Sequence, residues 1–144
     1  MLGLARKVHD LIAVEAREAL ESGWAELSLE EGDVGPALRL EPMKLACAPL
    51  EIYFDSAQLV LCSPGRKGMG CEFFSQDQGE IREKVRALAA ALVAGSYVER
   101  LRDATSELVA EWPGPAGTEE ARREALISTG ASSGSWTTIS YEPY

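Results

Sequence analysis

The side chains able to do chemistry are few and scattered. His9 is the only histidine among 144 residues, so any mechanism that needs an imidazole rests on it. It follows Val8, beside apolar residues at helical spacing. A general base needs an orienting partner and a nucleophile within reach, and no local motif identifies either. A histidine at the edge of a helix's apolar stripe is the expected role. Cys47, Cys62 and Cys71 are odd in number and form no CxxC pair, whereas structural zinc sites draw on Cys and His ligands in paired spacing. They read as small, half-buried apolar residues on strands, with no metal and no cofactor expected.

Gly65-Arg66-Lys67-Gly68-Met69-Gly70 invites comparison with a phosphate-binding loop. That motif needs GxxxxGK[ST] between a strand and a helix, so that backbone N–H groups and the lysine surround the phosphates. Here the cations precede the second glycine, no GK[ST] follows, and the next residues read as a strand. A flexible hairpin loop with exposed cations is expected. Carboxylate pairs occur at Glu30/Glu31 and Glu119/Glu120, a turn and a helix start, where acids have structural reasons to be. Glycoside chemistry would need two carboxylates facing each other across a cleft, which spacing alone does not supply. Nucleophile elbow, HExxH, EF-hand and dinucleotide patterns are all missing from the sequence. No catalytic residue is identified, and a non-enzymatic protein is expected.

The elements that would position these residues are clearer. Leu4, Val8, Leu11, Ile12, Ala19 and Leu20 form one apolar stripe, which predicts an amphipathic helix over 3–22 stopped at Gly23. From Trp24 the period changes from helical to alternating. Leu27 and Leu29 alternate with Glu26, Ser28 and Glu30, and the segment Glu31–Pro36 carries turn residues before Leu38 and Leu40. Pairing Leu29 with Leu38 puts Leu27 opposite Leu40, Glu26 opposite Glu41 and Ser28 opposite Arg39, with the leucines on one face. A second hairpin follows, with its turn near Asp55–Gln58. Pairing Phe54 with Leu59 would place Ile52 opposite Leu61, and Val60 and Cys62 on the other face with Tyr53 and Glu51. Cys71–Phe74 reads as a further short strand.

Asp77 caps a helix beginning near Gln78, and Glu80 completes a capping-box signature. Its stripe is Ile81, Val85, Leu88 and Leu92, ending at Gly95 or extended through Tyr97, Val98 and Leu101. Ser106–Trp112 reads as a strand halted by Pro113-Gly114-Pro115. Thr118 with Glu119 and Glu120 suggests a short helix to about Ile127. A Ser/Gly-rich connection over 128–135 leads to a last strand, Trp136–Tyr141. The expected class is α+β, with an antiparallel meander of about five to seven strands and two long helices on one face. The element order is α-β-β-β-β-β-α-β-α-β, in one domain over 1–144.

Composition bounds the function. Hydrophobic residues make up 46% and charged residues 26%, and the formal charge is -9. These values exclude collagen-like, strongly disordered and basic nucleic-acid-binding classes. No apolar run approaches the roughly 18 residues of a membrane span. The N-terminal order of apolar and basic residues is the reverse of a secretory signal. A bacterial-type cytoplasm is the expected compartment, with no nucleic acid and no membrane as partner.

The charge is unevenly spread. Residues 24–62 hold seven acids (Glu26, Glu30, Glu31, Asp33, Glu41, Glu51, Asp55) against Arg39 and Lys44, a net -5, whereas residues 63–95 are net +1. Glu26, Glu30, Glu41, Glu51 and Asp55 all fall opposite the leucine face, with Tyr53 among them. Such a face would steer a basic protein partner, by the masking logic of acidic immunity proteins and secretion chaperones. The plain alternative is a solvated face charged for solubility. Two rival functions remain. One is a small-molecule binder or enzyme with a pocket between sheet and helices, lined by Tyr53, Trp112 and Trp136. The other is a homodimer or larger homo-oligomer joined through a sheet edge or the aromatic C-terminal segment.

Overall fold

A computed structural model describes residues 1–102, 106–124 and 135–144. The class is α+β, with two antiparallel sheets and their helices. The chain runs α1 (Leu2–Glu15), α2 (Arg17–Glu21), β1 (Ala25–Gly32), β2 (Gly35–Pro42), β3 (Leu50–Ser56), β4 (Leu59–Pro64) and β5 (Cys71–Phe74). It continues through α3 (Gln78–Ala94), β6 (Val98–Arg102), β7 (Glu107–Gly114), β8 (Gly117–Arg123) and β9 (Trp136–Ser140). The first sheet is the meander β1-β2-β3-β4-β5, and the second has the order β8-β7-β6-β9. No helix among the described residues is long and apolar enough to cross a membrane.

The expected N-terminal helix is two. Ala16 leaves helical geometry at φ -101°, ψ 16°, so α1 ends there and the short α2 begins at Arg17. The stripe itself is as anticipated, for Leu4, Val8, Ile12 and Ala19 are buried. In α3 the Asp77 carboxylate accepts the Gly79 N–H at 2.8 Å. Glu80 does not return to the cap backbone directly. It accepts the Ser75 hydroxyl at 3.0 Å, and that hydroxyl in turn accepts the Asp77 N–H. Ile81, Val85, Leu88 and Leu92 are wholly buried, each contributing about 1.5–3 kcal/mol of apolar transfer before entropy. α1 and α3 pack on each other; α1 covers β1 and β2, and α3 reaches both β5 and β7. One apolar cluster therefore joins the helices to both sheets.

Gly95 stops α3 with φ +73°, and a Cβ there would lie 2.9 Å from the Pro143 nitrogen. The residues beyond it form β6 rather than further helical turns. The segment expected to be a third helix also pairs as a strand. Gly114 faces Gly117 across a tight turn, and β8 lies antiparallel along β7 with Ala121 opposite Ala110. Glu119 and Glu120 thus alternate across a sheet instead of opening a helix, because pairing with β7 outweighs their preference for a first turn. Pro113 lies within β7 rather than ending it. The element order accordingly gains β6 and exchanges the third helix for β8. The remainder of that predicted helix and nearly all of the Ser/Gly-rich connection lie outside the described residues.

The first hairpin has the anticipated register throughout: Leu27 faces Leu40, Leu29 faces Leu38, Glu26 faces Glu41 and Ser28 faces Arg39. The second does not. Ser56 pairs with Leu59, an irregularity between Phe54 and Ser56 follows, and Phe54 then pairs with Val60. Asp55 is the additional residue of this bulge, and one extra residue moves every later side chain to the opposite face. Val60 and Cys62 are therefore buried with Ile52 and Phe54, while Leu59 and Leu61 turn outward with Tyr53.

Candidate functional site

The helices cover one face of the first sheet and leave the other open. Three rows cross this outer face. Glu26 lies opposite Glu41; Ser28, Arg39, Glu51 and Ser63 form the middle row; Glu30 shares an edge row with Ala37, Tyr53, Leu61 and Glu72. Phe74 continues the face on β5 and is 65% exposed. The structure therefore brings Glu26 to Glu41 and Glu51 to Tyr53, and aligns Glu30 with Tyr53 across Ala37. Asp55 stands slightly apart, exposed on the bulge. Leu61, Glu72 and Phe74 belong to the same surface but escaped the sequence reading, because the bulge hid the register of β4. Alternation within Cys71–Phe74 was the one local signal for Glu72.

Some of the acids have cations within the chain. Arg39 Nε is 3.6 Å from Glu51, and Arg66 Nη1 is 3.7 Å from Glu41. The Tyr53 hydroxyl donates to Glu51 at 2.9 Å. Tyr53 and then Glu51 hold the Arg39 guanidinium above its usual range. Glu26, Glu30 and Glu72 have no ion pair with any described residue. Glu26 and Glu41 are like charges directly opposite on neighbouring strands, a destabilising arrangement that Arg66 offsets at Glu41 only. The outer face of the second sheet differs. Arg100 pairs with Glu111 at 2.5 Å, Arg122 bridges Glu107 and Glu120, and Arg102 lies over the Trp136 ring at 4.4 Å. One sheet thus balances its charges internally, and the other presents them.

Tyr53 and Leu61 form a ridge between two concavities. The larger, about 460 Å³, is bounded by Ser63, Gly70 and Glu72 on the far side. The smaller, about 240 Å³, lies towards Val34, Pro36 and Asp55. Both open on the outer face, away from the helices. The aromatics suggested as the lining of one pocket are dispersed: Tyr53 on this face, Trp112 packed 5.9 Å from Tyr97 in the core, and Trp136 on the second sheet. A separate space of about 260 Å³ between α3 and the end of β7 is lined by none of the three.

A second polar constellation lies in the interior. Glu99 on β6 is fully buried. The Tyr141 hydroxyl donates to its Oε1 at 2.5 Å, and the Tyr97 hydroxyl donates to its Oε2 at 3.2 Å. Burial raises the Glu99 carboxyl above the ordinary glutamate range, against the lowering influence of the Tyr141 and Tyr97 hydrogen bonds. Burial likewise raises both tyrosines, followed by the Glu99 hydrogen bond at Tyr141 and by the Glu99 charge at Tyr97. The Tyr141 oxygen also accepts the Arg66 N–H at 2.9 Å. The glycine-rich loop is consequently held in place rather than flexible, while its cations Arg66 and Lys67 are exposed as expected. Arg66 Nε donates to the carbonyls of Leu45 and Cys47, and Arg123 Nη1 donates to the Lys67 carbonyl at 2.7 Å. This cluster fastens the loop and the tail to the second sheet.

His9 is half-exposed on α1, with Nδ1 3.3 Å from Asp10 Oδ1. Cys62 and Cys71 lie on strands as expected; Cys47 instead sits in a loop, bridged to Glu142, with its thiol donating to the Pro143 carbonyl. Comparison with known protein families, curated proteins and solved structures finds no match to this chain.

Proposed function

We propose that the chain is a protein-binding module, without a catalytic step, whose outer sheet face masks a basic, extended segment of a partner. The observation that carries this is the contrast between the two sheets. The second sheet's exposed carboxylates are paired with arginines, whereas Glu26, Glu30 and Glu72 on the first are not. A partner strand with alternating cationic and apolar side chains complements this surface. Its cations meet the glutamate rows, and an apolar side chain enters a concavity beside the Tyr53–Leu61 ridge. Charge complementarity of this kind raises association rates and excludes acidic competitors.

The test uses the full chain and a synthetic peptide of alternating lysine and leucine. Its association rate should fall steeply with added salt, and backbone NMR shifts should concentrate on β1–β5. Glu26→Lys and Glu30→Lys together should weaken binding by about tenfold, mainly through the association rate. Reversal at Glu41 or Glu51 should cost less, because Arg66 and Arg39 already sit beside them. Binding indifferent to salt, or equal for an alternating glutamate–leucine peptide, overturns the proposal. A binding-competent peptide whose shifts map to the second sheet does so as well.

A further inference from the structure

Cys62 and Cys71 are direct cross-strand partners on β4 and β5, and both are free thiols. Opposed residues of an antiparallel pair have Cα atoms about 4.5–5.5 Å apart, within the roughly 4.4–6.8 Å that a disulfide spans. Side chains opposed in this way project from the same face of the sheet. The two sulfurs thus need no strand movement to meet. Their environments differ. Cys62 is 2% exposed, whereas Cys71 is half-buried near the β5 edge, and both border the 460 Å³ concavity beside Tyr53 and Leu61. Between them runs the glycine-rich loop, whose Arg66 holds the carbonyls of Leu45 and Cys47 and whose backbone bonds Tyr141.

We propose that Cys62 and Cys71 are a reversible disulfide site on the covered face of the sheet, closed by a low-molecular-weight disulfide that reaches the half-buried Cys71 at the β5 edge. The chemistry is two successive thiol–disulfide exchanges. The Cys71 thiolate attacks one sulfur of the small disulfide. A mixed disulfide forms, the small S–S bond breaks, and one small thiolate leaves and takes up a proton. Cys62, as its thiolate, then attacks the Cys71 sulfur, and the second small thiol departs. Two electrons pass from the cysteine pair to the small disulfide, and both cysteine protons end on the released thiols. Cys71 acts first because it is the reachable sulfur. Cys62 resolves, and hydrogen bonding with Cys71 together with burial holds its thiol well above the usual range. The second exchange is therefore the slower one and accelerates as pH rises. The bond closes the base of the Ser63–Gly70 loop and shrinks the conformational freedom of the unfolded chain. Cys47 takes no part, since its thiol is turned to the Pro143 carbonyl at the tail.

The full chain is equilibrated in glutathione buffers of increasing oxidised-to-reduced ratio, then quenched by alkylation and analysed by peptide mass spectrometry. The expected result is loss of alkylation at Cys62 and Cys71 together, a linked peptide containing both, and continued alkylation of Cys47. The linked form should melt at a higher temperature than the reduced form, and dithiothreitol should return it. Cys71→Ser should abolish the linked peptide at every ratio. Alkylation of all three cysteines throughout, a lasting glutathione adduct on Cys71, or a link that uses Cys47 or a second chain would overturn the assignment.

Discussion

The Tyr141 hydroxyl donates a 2.5 Å hydrogen bond to the buried Glu99 carboxylate, joining the end of the chain to β6. The same oxygen accepts the Arg66 N–H, so one phenol links the tail, the second sheet and the glycine-rich loop. Tyr144 extends the connection by donating from its hydroxyl to the Ala48 carbonyl at 2.5 Å. The aromatic C-terminal segment is thus used within the chain, with β9 paired along β6.

Tyr141→Phe retains the ring and deletes the shared hydroxyl. Glu99 loses its shorter hydrogen bond, and the Arg66 N–H loses its acceptor. The expected cost is about 1–3 kcal/mol, the penalty for unsatisfied buried polar groups, read by denaturant unfolding. Hydrogen exchange at the Arg66 amide should quicken more than at amides of β1 and β2. An unchanged Arg66 amide would show that the loop is held by other contacts.

Glu99 gives stability a pH dependence of known sign. Its folded carboxyl is raised, chiefly by burial, so the folded chain holds that proton more tightly than the unfolded chain does. The associated stability is full below the unfolded glutamate value of about 4.3 and is lost as pH rises through the higher folded value. Glu99→Gln stays neutral throughout. As pH rises above about 4.3, wild type should therefore lose stability relative to this variant, measured as the difference between their unfolding free energies. Parallel curves would place the ionised carboxylate in the fold without penalty.

The bulge at Asp55 makes an unequal pair of neighbours. Val60 is fully buried and Leu61 faces outward. Val60→Ser should destabilise by about 1–3 kcal/mol through lost packing and a buried hydroxyl, and Leu61→Ser by less than about 1 kcal/mol. Thermal or denaturant unfolding decides the order. A larger loss at Leu61 would restore the register expected from simple alternation.

Local patterning by itself determined several elements. Asp77 and the Ile81–Leu92 stripe define the start and buried face of α3 from neighbours within a few turns, whereas its end at Gly95 was one of two the sequence allowed. The leucines of β1 and β2 are separated by a short turn, so their pairing follows from parity alone. The acidic content of the outer face was also legible, since Glu26, Glu30, Glu41, Glu51 and Tyr53 each alternate with the apolar residues of their own strand. The tertiary structure alone decided the rest. Asp55 bulges because β4 gains by burying Val60 and Cys62, a preference that alternating leucines conceal. Gly117–Arg123 becomes a strand because β7 lies beside it with unpaired backbone groups. Glu99 is buried because Tyr97 and Tyr141 satisfy it, and Tyr141 lies 42 residues further along the chain. Short-range periodicity reports which side chains share a face, whereas pairing partners distant in sequence determine which face is covered and which remains open.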